Sequence, residues 1–408
     1  MNLSAPQEAA APQARGSVGE VFAAFLKLGV MSFGGPIAHL GYYREELVIR
    51  RRWLDETTYA DLVALCQFLP GPASSQVGFS LGILHGNGLL GGLAAWLAFT
   101  LPSAIIMFAF ASVAGRFTGP LAQGFLHGLK LVAVTVVAQA IWGMTKSLTP
   151  DKPRAAIALA ALAVVVLFPG SLAQIGGIVL GALAGLWLCR AEGAPASGGL
   201  NFPVSRRAGG IALVLFAVLL VATPLVVAAG GSHGLAVFDA FYRSGALVFG
   251  GGHVVLPLLQ AEVVTPGWVS NETFLAGYGL AQAVPGPLFT FAAYLGAVMN
   301  TPPNGFAGAA IALFALLLPG MLLVYGMLPF WDSFRTRPTA QAAMRGTNAA
   351  VVGILGAALY NPVWTSAVLA PRDFALALFG FLLLTVWKLP SWVVVVLLAA
   401  AGTLSQFL

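Results

Sequence analysis

The chain has 408 residues, 8% of them charged and 59% hydrophobic, with a formal net charge of +6. A soluble domain carries about a quarter charged residues, so a water-soluble enzyme or binding module is excluded, and the mean hydropathy of +0.88 agrees. The basic residues stand in short runs between apolar stretches, such as Arg50-Arg51-Arg52 and Arg206-Arg207, which suits loops beside an anionic leaflet or an anion path and not nucleic acid.

Residues 1–17 begin Ala/Pro/Gln-rich, lack the apolar core of a signal peptide, and read as a disordered tail. Six apolar segments follow near 18–38, 58–84, 89–115, 119–146, 154–168 and 171–190. A polar linker covers 191–207, and an extra apolar segment lies within 208–233. The rest reads as segments near 234–257, 273–299, 305–330, 339–361, 372–388 and 390–408. Measured against the ~20 residues of a membrane span, this predicts an all-α polytopic membrane protein of about 13 transmembrane segments. Cys66 and Cys189 lie in or beside apolar stretches and read as small core residues. The sequence carries neither a Gly-x-x-x-x-Gly-Lys-[Ser/Thr] loop nor a His-Glu-x-x-His pair. No catalytic residue, cofactor or metal is expected, and any energy must come from an ion gradient or a partner.

The two halves repeat one another. Val21-Phe22 through Phe33-Gly34-Gly35 matches Val237-Phe238 through Phe249-Gly250-Gly251 at constant separation, with Lys27 on Arg243, Gly29 on Gly245 and Glu46 on Glu262. After a one-residue gap Trp53 falls on Trp268, and Gln67-Phe68-Leu69-Pro70-Gly71-Pro72 on Gln282-Ala283-Val284-Pro285-Gly286-Pro287. Further on, Pro102 pairs with Pro319 and Gly128 with Gly346. The copies are expected at 18–190 and 234–408. They begin at the first and eighth segments, so an odd number of crossings separates them and the second copy should lie inverted, as in many secondary transporters. Loop charges favour a cytoplasmic N-terminus, through Lys146, Lys152, Arg154, Arg190, Arg206, Arg207, Arg335, Arg337 and Lys388. The Arg44 and Arg50–Arg52 cluster conflicts with that orientation unless the first segment stops short of crossing or the cluster serves the transport path.

Two repeated constellations carry the candidate chemistry. Lys27 precedes Phe33-Gly34-Gly35, and Arg243 precedes Phe249-Gly250-Gly251. A cation in an apolar segment faces a cavity or a partner, and paired glycines let backbone N–H groups approach a ligand. The competing reading is close helix packing with a snorkelling cation. The second constellation is Gln-x-x-Pro-Gly-Pro, at Gln67 to Pro72 and Gln282 to Pro287. Two prolines around a glycine break a helix, and matched breaks in both halves point to a midplane binding site. The half-helices that follow bring Ser74, Ser75, Gln76 and Thr290 as donors beside N-terminal dipoles. The predicted substrate-binding set is therefore Lys27, Gly34, Gly35, Gln67, Gly71, Ser74, Ser75, Arg243, Gly250, Gly251, Gln282, Gly286 and Thr290. The two cations would neutralise a dianion. Arg44 and Arg50–Arg52 are read either as an anion funnel or as a solvated stretch. His39, His127, Lys130, His253, Glu46 and Glu262 are secondary candidates for proton handling.

Phe33-Gly34-Gly35-Pro36 with Gln67 to Pro72, repeated as Phe249-Gly250-Gly251 with Gln282 to Pro287, resembles the chromate ion transporter family in its long, two-domain form. The resemblance covers nearly the whole chain. It implies chromate efflux across the bacterial plasma membrane, driven by the proton gradient, with competition from sulfate. The partners it implies are a chromate- or sulfate-like oxyanion, protons and the lipid bilayer; a homodimer is compatible. The alternatives are a transporter of sulfate or another tetrahedral oxyanion, and an integral membrane enzyme or scaffold without ion flux. Gly252 stands where the first copy has Pro36, and the arginine cluster is not repeated, so the halves are not expected to share ligand roles equally.

Overall fold

A computed structural model describes residues 16–33, 35–114, 119–168, 171–189, 202–249, 252–331 and 337–405. Among these residues every regular element is helical. The first half runs α1 (Val18–Met31), α2 (Gly35–Tyr43) with a π-helical continuation over Arg44–Arg50, α3 (Glu56–Phe68), α4 (Ala73–His85), α5 (Leu89–Ala114), α6 (Pro120–Leu148), α7 (Lys152–Leu167) and α8 (Ser171–Leu188). After α9 (Arg206–Ala228) the second half repeats the order: α10 (His233–Ala246), α11 (Val255–Leu259) continued by a π-helical turn over Gln260–Val264, α12 (Asn271–Ala281), α13 (Phe291–Val298), α14 (Gly305–Met327), α15 (Pro338–Ala358), α16 (Pro371–Thr385) and α17 (Ser391–Leu404).

The breaks fall where the repeated motifs require them. α1 stops before Phe33 and α2 begins at Gly35, whose φ of 81° favours glycine. α3 ends at Phe68 and α4 opens at Ala73, so Pro70-Gly71-Pro72 occupies the gap. In the second half α12 ends at Ala281 and a 3₁₀ turn over Leu288–Thr290 leads into α13. Four of the expected segments are thus pairs of shorter helices. Among the described residues, five stretches are long and apolar enough to cross a membrane: Leu89–Val113, Pro120–Leu148, Arg206–Ala228, Gly305–Phe330 and Pro338–Ala367. Pro102 and Pro319 sit inside α5 and α14 at matching positions.

α9 shows which surface faces lipid. Ile211, Val214, Val218, Val221 and Leu225 are exposed along one side at helical spacing, a stripe too apolar for water. In a bilayer little hydrophobic force draws helices together, so close packing through small residues takes its place. α8 lies on α15 through Gly181, Gly185 and Gly346, and α6 lies on α17 through Gly128 and Gly402. The last helix of each half therefore packs on the other half.

Candidate functional site

The two halves also exchange backbone bonds at their breaks. Gly71 N donates to the Val248 carbonyl at 2.7 Å, and Gly286 N donates to the Ser32 carbonyl at 2.8 Å. Ser32 and Val248 are equivalent in the repeat, as are Gly71 and Gly286. Each break thus docks on the end of the other copy's first helix. Both glycines have positive φ, 123° at Gly71 and 90° at Gly286. Gln76 ties the first break down by donating from Nε2 to the Pro70 and Gly320 carbonyls at 2.9 and 3.0 Å. Gly29 packs on the Phe99 carbonyl and Gly245 on the Leu316 carbonyl, near the middles of α5 and α14. The breaks therefore meet at mid-depth of the long apolar helices.

Each repeated cation has a carboxylate from the π-helical turn that follows. Lys27 Nζ donates to Glu46 Oε2 at 2.9 Å, and Arg243 Nη2 donates to Glu262 Oε2 at 3.0 Å. Both repeated cations are therefore paired, because an unpaired charge on an apolar segment is costly. The surroundings of the two pairs differ. Around Glu46 gather Arg50 (3.2 Å) and Arg51 (3.0 Å) as well as Lys27, and Arg51 also lies 3.9 Å from Glu20. Burial alone would raise the Glu46 carboxyl, but hydrogen bonds from Lys27 and Arg51 outweigh it and hold the carboxyl below its ordinary value. His85 stacks on Trp53 with ring centres 3.9 Å apart and faces Glu20 at 3.5 Å. Around Arg243 the balance is reversed, with Asp239 Oδ2 at 2.9 Å as a second carboxylate. Asp239 Oδ1 accepts from Thr223 Oγ1 on α9 at 2.6 Å.

The first cluster is thus cation-rich and opens outward, with Arg50 more than half exposed. The second is carboxylate-rich and closed. Removing the hydroxyl with Thr223→Val should lower stability by about 1–3 kcal/mol, because a buried carboxylate oxygen loses a donor. A thermal melt of the purified protein in detergent checks it.

The other predicted site residues divide by copy. Ser74 Oγ lies 3.3 Å from His39 Nδ1, and Ser75 is buried with its hydroxyl unbonded. Gln67 is exposed at the end of α3. In the second half Thr290 Oγ1 donates to the Pro287 carbonyl at 2.9 Å. The Gln282 carbonyl accepts from Ser391 Oγ at 3.0 Å. Gly34, Gly250 and Gly251 lie outside the described residues. Among the secondary candidates, His253 Nδ1 meets the Tyr278 hydroxyl at 2.7 Å, His127 Nε2 meets Asp373 Oδ1 at 3.0 Å, and Lys130 lies 3.7 Å from Glu272. Arg44 is held by Glu56 at 2.9 Å. Asp239 and Thr223 escaped the sequence reading. The Asp239–Arg243 spacing of one helical turn was the available signal.

The family model described as chromate transporter matches the chain twice, over residues 19–186 and 235–403. The chromate transport protein of Pseudomonas aeruginosa is 29% identical over 93% of this chain and 90% of its own length. That of Cupriavidus metallidurans is 30% identical over 82% of this chain and 80% of its own length. A probable chromate transport protein of Synechococcus elongatus is 28% identical over 93% of both chains. No solved structure matches. With matched helix breaks, lipid-type outer faces and a family match in each half, this chain is a multi-pass membrane protein whose role is transport rather than catalysis, and it belongs to the chromate transporter family.

Proposed function

We propose that this chain carries chromate out of the cell across the plasma membrane, with the proton gradient as energy source. The observation that carries the reading is the double family match, joined to curated chromate transport proteins that align over most of their own length. The geometry supports an anion as cargo. The cation-rich cluster of Lys27, Arg50 and Arg51 around Glu46 is partly exposed and raises the local concentration of a dianion. The breaks behind it offer helix N-termini at mid-depth. We further read the copies at 18–190 and 234–408 as inverted in the membrane across about 13 crossings, the segment at 208–233 reversing the second, with the N-terminus cytoplasmic. The exchange of bonds between Gly71 and Val248, and between Gly286 and Ser32, supports a two-fold relation between the copies.

Purified protein in proteoliposomes tests the function. With an imposed pH gradient, radiolabelled chromate should move opposite to the proton flow and accumulate on the acidic side, and a protonophore should abolish accumulation. Chromate flux that ignores the gradient would sink the proton coupling. Sulfate flux without chromate flux would favour the sulfate reading, since both are tetrahedral dianions. In the same assay Lys27→Ala should cut uptake at low chromate several-fold while the protein still assembles, because Arg50 and Arg51 continue to hold Glu46.

A further inference from the structure

The two halves share a backbone plan but not a lining. In the first half Ser32, His39, Ser74, Ser75, Thr100 and Ser103 are all at most 4% exposed. They converge on one turn of α5. His39 Nδ1 lies 3.3 Å from Ser74 Oγ, and its ring meets Phe99 edge-on at 5.4 Å. Ser103 Oγ donates to the Thr100 carbonyl at 3.0 Å and sits against Gly286, whose N–H is bonded to Ser32. By the repeat, the positions of Ser32, His39, Ser74, Thr100 and Ser103 are taken in the second half by Val248, Val255, Phe289, Leu317 and Gly320. Ser75 corresponds to Thr290, whose hydroxyl is already bonded to Pro287. The second half is therefore a control within the molecule: the same breaks form around apolar side chains, so folding does not require the hydroxyls of the first.

Three of those hydroxyls are also unused. The Oγ atoms of Ser32 and Ser75 and the Oγ1 of Thr100 are buried and make no hydrogen bond. A buried hydroxyl without a partner destabilises a fold. α4 has 13 residues and begins beside them. Its N-cap, Pro72, supplies no side-chain bond, so the first N–H groups of the helix are open to an acceptor. Hydroxyls and N–H groups gathered at a helix N-terminus are donors that want an acceptor-rich, negatively charged ligand. A tetrahedral oxyanion, with four acceptor oxygens, answers that description.

Resting on the transport reading above, we propose that the oxyanion is bound by the first half alone, between α1, α4 and α5. Ser32, Ser75 and Thr100 donate to its oxygens with the N-terminus of α4, and His39 orients Ser74. The second half closes the site through Gly286 and contributes scaffold.

Equilibrium binding to the full chain in detergent tests this independently of transport, with chromate and sulfate as separate titrants. Wild type should bind at least one of them. Ser75→Ala and Thr100→Val should each weaken binding about ten- to hundredfold, the loss of one hydrogen bond to a charged ligand. Thr100→Ser, which keeps the hydroxyl, should restore it. Neither loss should lower the melting temperature of the anion-free protein, since the deleted hydroxyls have no partner. Thr135→Val is the comparison: its hydroxyl bonds the Leu131 and Ala377 carbonyls at 2.9 and 3.2 Å, so it should lower the melting temperature and leave affinity alone. Failure of wild type to bind either anion would overturn the proposal. So would wild-type affinity in folded Ser75→Ala and Thr100→Val proteins, or a Thr100→Ser protein as weak as Thr100→Val. Binding with no vesicle uptake would leave the site standing and remove the transport reading instead.

Discussion

Arg243→Ala is expected to yield little folded protein, while Lys27→Ala folds. The two residues are equivalent in the repeat, yet their removal leaves different debts. Without Arg243, Asp239 and Glu262 lose the guanidinium that lies 2.9 and 3.0 Å from them, and their side chains are only 4% and 13% exposed. Breaking a buried pair from one side costs about 3–5 kcal/mol, because a largely buried charge loses its counter-charge. A whole domain is held by only about 5–15 kcal/mol. Without Lys27, Glu46 keeps Arg50 and Arg51, and Lys27 itself is 42% exposed on its side chain. That loss is closer to a surface pair, about 1 kcal/mol or less. Size-exclusion profiles and melting curves in detergent compare the two directly. Equal stability in both variants would refute the asymmetry. Asp239→Asn combined with Glu262→Gln should partly rescue Arg243→Ala, since the two negative charges that faced the guanidinium are then gone.

Gly71→Ala and Gly286→Ala should be comparably damaging, by a different route. At φ values of 123° and 90°, a side chain strains the backbone by about 1–3 kcal/mol. Space is also absent. A methyl group at Gly71 would come within 2.9 Å of Gly320 Cα, and one at Gly286 within 2.9 Å of Ser103 Oγ. Either shift pulls an N–H away from a carbonyl of the other half, and inside a bilayer no water replaces that partner. The expected result is loss of the monodisperse protein peak and of uptake together. By contrast Gly88, with φ of 82° but open space around it, should tolerate alanine with strain alone.

Much of this was legible before any coordinates. The repeated Gln-x-x-Pro-Gly-Pro segments located both helix breaks, since two prolines leave a helix no way through. Lys27, Arg243, Glu46 and Glu262 were all flagged by the repeat, yet not as pairs. Each cation is 19 residues from its carboxylate, and a broken helix and a π-helical turn lie between, so no single periodicity links them. The exchanged bonds of Gly71 and Gly286 were hidden for another reason: they are backbone to backbone, and main-chain partners leave no residue signature. The one-sided polar lining was present in the alignment of Ser32 with Val248 and His39 with Val255. A repeat shows itself in the positions that match, whereas this lining lies in positions that differ.

The exchanged bonds also constrain how the chain is assembled. During synthesis the first half enters the bilayer with the Gly71 N–H lacking its acceptor, because Val248 has not yet been made. The Ser32 carbonyl waits likewise for Gly286. Neither half can complete its own interior. The first cannot close its break until Val248 is in place, and the second is sealed only once Gly286 has followed.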